Sequence, residues 1–307
     1  ITFDQQPTKI LAYKLKIFLK QNMIENESSL KQQIVSDPNE VPLILHSRIN
    51  QPISDLSLFQ KSLLFAELSM IAYNDPAEAE RAVNLVGFST SIFFDHDGAQ
   101  GYFFENDHDS VIVCRGTEPH EWNDIHADTN VGTVLAETAG RVHRGFKQEA
   151  DDLWPMIEKH LKGLNKILWF TGHSLGAAMA TVCAYRCRIS NECANPKELY
   201  TYGSPRVGNK HYVNFAQLEH YRWVNNNDIV TRVPPVWMGY RHTGIEMYLN
   251  RNGIVRTLNY TAKRLDRWHG FLRGLRKFRL DHFSDHSVHE YVTHILKAAK
   301  KEEGLKD

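Results

Sequence analysis

A chain of 307 residues can bury a sizeable core, as one large α/β domain or two smaller ones. Its 36 Lys and Arg balance 36 Asp and Glu, which leaves no global charge bias and argues against nucleic acid as the main partner. No apolar run is long enough to span a bilayer, so no transmembrane segment is expected.

Residues 1–55 are read as an N-terminal extension packed on a main domain that covers residues 56–307. Within the extension, Lys9–Met23 has amphipathic helical spacing at Leu11, Leu15 and Phe18. Lys14, Lys16 and Lys20 interrupt any signal-peptide core, and the opening on Ile1 points to residues removed upstream. The cysteines, Cys114, Cys183, Cys187 and Cys193, have no metal-ligand spacing. Buried free thiols are favoured over disulfides, which leaves the compartment open.

From Phe59 the pattern tightens. Phe59–Tyr73 reads as a broad apolar helix stopped by Asn74-Asp75-Pro76. Asp75, Pro76 and Glu78 then start a second helix that ends at Gly87. Strands are expected at Ser91–Phe94, Gly101–Glu105 and Ser110–Arg115, joined as antiparallel hairpins by turn-rich segments. Phe146–Leu161 has helical spacing with a kink expected at Pro155.

Residues 166–185, KILWFTGHSLGAAMATVCAY, run from an apolar strand through Gly172-His173-Ser174-Leu175-Gly176 into a helix of small residues. That is the strand–turn–helix of a nucleophile elbow, in which glycines let strand and helix approach and the serine hydroxyl stands above the sheet. Strands follow at Leu199–Tyr202 and Tyr221–Val224. A hairpin, Ile245–Leu249 with Ile254–Leu258, turns through Arg251-Asn252-Gly253 with Asn-Gly supplying positive φ angles. A last helix carries Val288, Tyr291, Val292, Ile295, Leu296 and Ala299 on one stripe. Strands alternating with helices around the elbow predict an α/β-hydrolase fold. Its central sheet is expected to be mostly parallel, with antiparallel N-terminal strands and helices on both faces.

A serine hydroxyl is a weak nucleophile at neutral pH and needs a histidine base oriented by an acid. In this fold the chain order is serine, acid, histidine. Asp228, directly after a strand and flanked by Asn225–Asn227, is the best acid, with a turn aspartate capping Ile229 onward as the competing reading. Among the later histidines (His269, His282, His286, His289 and His294), His286 is preferred because the final helix anchors the loop it sits on. His282 is second, and His289 and His294 read as solvated helix positions. The oxyanion hole is assigned to the backbone N–H of Leu175 and to Thr117, after the apolar strand ending Arg115-Gly116-Thr117.

Arg115-Gly116-Thr117, Val142-His143-Arg144-Gly145-Phe146, the Gly172–Gly176 pentapeptide, Tyr202–Asn209, Asn227-Asp228 and Asp285-His286-Ser287 follow the order and spacing of the class 3 lipases, which the chain resembles from about Phe59 to Leu296. The resemblance implies a serine hydrolase of carboxylic esters of lipids, a triacylglycerol lipase, with Ser174 as nucleophile, His286 as base, Asp228 as acid, and Thr117 with Leu175 as oxyanion hole. It also implies no metal or organic cofactor, an ester lipid substrate met in transient contact with a lipid interface, and a secreted or extracellular location. Relatives acting as feruloyl esterases or phospholipases A1 mark the alternative specificities. A non-catalytic lipase-like binding protein is the alternative of a different class.

Two stretches depart from the fungal pattern. Residues 118–128, EPHEWNDIHAD, are too acidic for an oil-facing lid, which points to an open site or to a lid built elsewhere. Thr261–Asp281 is basic, with Leu265, Trp268, Phe271, Leu272, Leu275 and Phe278 at helical spacing. It reads either as a helix docking on anionic lipid or covering the acyl groove, or as a core-packed helix with a solvated basic face.

Overall fold

Ser57 opens the first long helix with a capping box: its hydroxyl accepts from the Gln60 N–H at 3.3 Å, and Gln60 Oε1 accepts from the Ser57 N–H at 2.9 Å. Helix α1 (Leu58–Ile71) is buried along most of its length. Helix α2 (Pro76–Val86) starts where the Asp75 carboxylate accepts from the N–H groups of Ala77 and Glu78, and it stops at a left-handed Gly87. The computed structural model describes residues 43–116, 132–215, 217–250, 252–256 and 286–304. By internal packing the chain divides into Ile1–His46 and Ser47–Asp307. Ile53 lies in the second unit, fully buried, with its N–H bonded to the Asp109 carboxylate at 2.8 Å. The expected helix at Lys9–Met23 falls outside the described residues.

Strands β1 (Thr90–His96), β2 (Ala99–Glu105) and β3 (Asp109–Cys114) pair antiparallel in sequence. Asp97 and Gly98, both with positive φ, make the two-residue turn between the first two. Short strands β4 (Thr133–Leu135) and β5 (Arg141–His143) lead into helix α3 (Arg144–Leu161), which runs through Pro155 as one continuous helix. Strand β6 (Ile167–His173) feeds helix α4 (Leu175–Ile189), followed by β7 (Pro196–Tyr202), β8 (Gly208–Asn209), helix α5 (Lys210–Phe215) and β9 (His220–Asn225). Strands β10 (Tyr240–Arg241), β11 (Ile245–Leu249) and β12 (Val255–Arg256) precede helix α6 (Val288–Glu302).

The main sheet has eight strands in the order β1-β2-β3-β6-β7-β9-β11-β12. From β3 to β11 every neighbour is parallel, with antiparallel pairs at both ends. The period of two on β6 divides the core. Leu168 and Phe170 face the apolar cluster of α3 and α4, while Trp169 packs against Phe65 of α1 and Thr171 bonds the Phe65 carbonyl. Helices thus cover both faces, as the α/β-hydrolase reading requires. All four cysteines are buried and unbridged.

Three local expectations change. Strands β10, β8, β5 and β4 form a second small sheet, which two- and three-residue strands give too little periodicity to announce. Among the described residues of the β11–β12 turn only Gly253 has positive φ, and the Asn250 carboxamide accepts from the N–H groups of Asn252 and Ile254, which shapes the loop. His294, read as solvated, is half-buried over Gly253, where a Cβ would meet its ring at 2.2 Å.

Candidate active site

Strand β6 ends at His173, and the chain reverses at Ser174 into α4 with φ 61° and ψ −127°, a conformation that non-glycine residues rarely adopt. The turn is tight because glycines flank it. A Cβ on Gly172 would lie 2.5 Å from the Gly176 carbonyl oxygen, and one on Gly176 would lie 2.1 Å from that of Cys114. Strand, helix and the end of β3 meet at distances only bare backbone allows.

Three elements converge on the serine. Ser174 Oγ lies 2.8 Å from His286 Nε2, and His286 Nδ1 lies 2.9 Å from Asp228 Oδ2. Asp228 sits on the loop after β9, and His286 immediately precedes α6. All three side chains are buried. Asp228 also fills the role given to it by the competing reading, since its Oδ1 accepts from the Val230 N–H at 2.9 Å. One carboxylate oxygen fixes the loop and the other fixes the imidazole. Leu175 opens α4, so its N–H is among the first-turn donors that have no acceptor within the helix. Thr117, both candidate lid stretches (118–128 and 261–281) and His282 lie outside the described residues.

Two tyrosines and a histidine complete the constellation, and none was singled out from sequence. Tyr291, placed on the apolar stripe of α6, donates its hydroxyl proton to Asp228 Oδ2 at 2.6 Å and accepts from the Asn225 N–H at 3.0 Å. His173 Nε2 lies 2.6 Å from the backbone oxygen of His286 and therefore carries the donated proton. Its Nδ1 accepts from the Tyr73 hydroxyl at 2.8 Å. The available signal was general: a tyrosine or histidine at a core position needs a partner for its polar atoms.

Burial works against the Asp228 anion, but the adjacent imidazole of His286 and the hydrogen bonds from His286 and Tyr291 outweigh it and hold the carboxyl below its ordinary range. Burial pushes His173 down to about 3, aided by His286, and pushes His220 down to about 3 and His143 down to about 4. These three imidazoles stay neutral in the folded chain, while in the unfolded chain they bind protons below about pH 6.5. Between that pH and about pH 4 the unfolded state holds more protons, so stability falls on acidification, by at most about 1.4 kcal/mol per pH unit for each residue. Thermal unfolding followed from pH 7.5 to 5 is expected to show a falling midpoint, with a shallower slope in His220→Gln. Equal slopes would remove His220 from this account.

A buried hydroxyl, an imidazole that can take its proton and a carboxylate that can steady the resulting cation are the parts of a nucleophilic acyl-transfer site. Residues 111–238, which include Ser174 and Asp228, match the family described as lipase (class 3); His286 lies beyond the matched stretch. The chain is 33% identical over 189 residues to toxin TseL of Vibrio cholerae, covering 47% of this chain and 29% of that protein. It is 41% identical over 117 residues to the secreted mono- and diacylglycerol lipase 1 of Fusarium solani, covering 36% and 34%. It spans only about a third of the length of these relatives. Among solved structures, lipase II from Rhizopus niveus superposes with a TM-score of 0.54 at 24% identity, over 62% of this chain and 80% of that one. At that identity the match speaks for the fold. The matched residues, the related sequences and the fold agree in making this chain similar to the class 3 lipases.

Proposed function

We propose that this chain hydrolyses carboxylic esters of lipids, acylglycerols foremost, through an acyl-enzyme on Ser174. The observation that carries this reading is the continuous hydrogen-bonded path from Ser174 Oγ to His286 Nε2, and from His286 Nδ1 to Asp228 Oδ2. His286 takes the Ser174 proton as the hydroxyl attacks the ester carbonyl. The Leu175 N–H, with Thr117, holds the oxyanion, and the alcohol leaves with the proton from His286. Water activated by the same imidazole then releases the fatty acid and restores the serine. Asp228 keeps Nδ1 protonated throughout, so Nε2 is the atom that exchanges protons. The relative named as a mono- and diacylglycerol lipase supports acylglycerols as the substrate class, and substrates of that kind are met at a lipid interface.

A fluorophosphonate probe tests the assignment directly. Labelling is expected at one site, Ser174, identified by peptide mass spectrometry, and is expected to vanish in Ser174→Ala. A folded chain that takes up no label, or takes it on another residue, would contradict the proposal.

A further inference from the structure

Two of the buried thiols meet where α4 ends. Cys187 lies in the last turn of that helix, which stops at Ser190. The Ser190 hydroxyl accepts from the N–H groups of Glu192 at 3.1 Å and Cys193 at 3.2 Å, which turns the chain back on itself. A β-bridge between Cys193 and Lys162 fastens the returning chain to the end of α3. The Cys187 thiol then donates a hydrogen bond to Cys193 Sγ. Backbone contacts thus bring the two sulfurs together while they are still reduced, so a covalent link between them asks little of the surrounding structure.

The pair is also polarised. The hydrogen bond from Cys187 draws the Cys193 thiol down to about 6, helped by Ser190 and Lys162 and opposed by burial and Glu158. The same bond, together with burial, pushes the Cys187 thiol up. A thiolate is the attacking form, so Cys193 is the nucleophile at neutral pH and Cys187 the thiol that resolves. Cys193 is the more accessible of the two, 7% exposed against 0%. The turn that joins them is at the surface, with Arg188, Ile189, Asn191 and Glu192 exposed. Cys114 and Cys183 also hydrogen-bond to one another, but they sit on β3 and mid-α4, deep in the core.

We propose that Cys187 and Cys193 form a redox-active dithiol, which closes to a disulfide by exchange with a low-molecular-weight disulfide and staples the end of α4 to the chain entering β7. With glutathione disulfide as oxidant, Cys193 Sγ attacks one of its sulfurs, forms a mixed disulfide and releases one glutathione thiolate. Cys187 Sγ then attacks Cys193 Sγ, and its proton passes to the second glutathione as that leaves. Two electrons go to the oxidant, and the products are the Cys187–Cys193 bond and two glutathione thiols. The inference stands apart from the ester-hydrolysis reading, because Ser174 is at the opposite end of α4, about 20 Å along the helix.

The test uses the intact chain, incubated with dithiothreitol or with glutathione disulfide, and alkylated before digestion. The oxidised chain is expected to be about 2 Da lighter than the reduced one. Arg186, Arg188 and Lys197 let trypsin part the two cysteines, so linked peptides 187–188 and 189–197 identify the bond. Closing this short loop is expected to raise the thermal midpoint by about 4 °C, a gain reversed by dithiothreitol and absent in Cys187→Ala and Cys193→Ser. A lasting glutathione adduct on Cys193 with Cys187 free would mean that the sulfurs cannot join, and it overturns the proposal. A bond involving Cys114 or Cys183 does the same, as does a linked chain that melts no higher than the reduced one. So does a native chain that resists glutathione disulfide at concentrations that oxidise the urea-unfolded chain.

Discussion

Ser174→Ala is expected to lower turnover of a soluble ester by about 10⁴–10⁶-fold, with the fold intact. The substitution removes the hydroxyl that lies 2.8 Å from His286 Nε2. Histidine-assisted attack by water cannot replace it, because the attacking oxygen must sit where the strained turn holds the hydroxyl. The Ser174 side chain makes no hydrogen bond that caps α4, and alanine is smaller, so nothing in the packing is lost. Far-ultraviolet circular dichroism and the thermal midpoint should therefore match the parent chain while kcat collapses. Activity within tenfold of the parent would show that another residue attacks and that Ser174 is not the nucleophile.

Gly203→Ala is expected to be the next most damaging single change, lowering turnover about 10²–10³-fold. Gly203 follows β7 at φ +60°, a left-handed value that already disfavours a side chain. A Cβ there would lie 2.8 Å from Asp228 Oδ2 and 2.8 Å from both Cε1 and Nδ1 of His286. It would press on the bond that orients the imidazole, and neither partner can retreat easily. Asp228 is held by Val230 and Tyr291, and the backbone oxygen of His286 is held by His173. The expected signature is a loss in kcat with little change in KM, together with slower fluorophosphonate labelling of Ser174. Wild-type labelling rates in Gly203→Ala would mean that the neighbouring loops yield, and that the pair is less tightly enclosed than its distances indicate.

The small expected slope of stability with pH follows from the same enclosure. His173 sits between Tyr73 and the backbone of His286, 2.8 and 2.6 Å away, and it serves as a strut only while it is neutral. A charged ring would have to donate from both nitrogens in a site where Tyr73 already donates to one of them.

Much of this was written in short-range pattern. The apolar run of β6, the paired glycines around Ser174 and the small residues of α4 announce an elbow, because each is a local steric requirement that only certain residues meet. The caps of α2 and the Asp97-Gly98 turn are legible for the same reason: backbone N–H groups and positive φ angles are satisfied within a few residues. Chain order and chemical type singled out Ser174, Asp228 and His286, as they depend on which residues follow which. What sequence could not supply is whatever depends on distance across the fold. Tyr291 looks like a core position until α6 is laid beside β9, where its hydroxyl meets Asp228. His173 looks like the variable letter of a pentapeptide until Tyr73 and His286 close on it from residues a hundred or more positions away. The second sheet is built from strands too short to carry a period, and Trp237 is one more aromatic residue until the loop is seen to hold it in solvent. Local rules act between neighbours in the chain and leave a trace in composition. Hydrogen bonds and exposure are settled only when distant segments meet, and that is why the partners of the site had to be read from the tertiary structure.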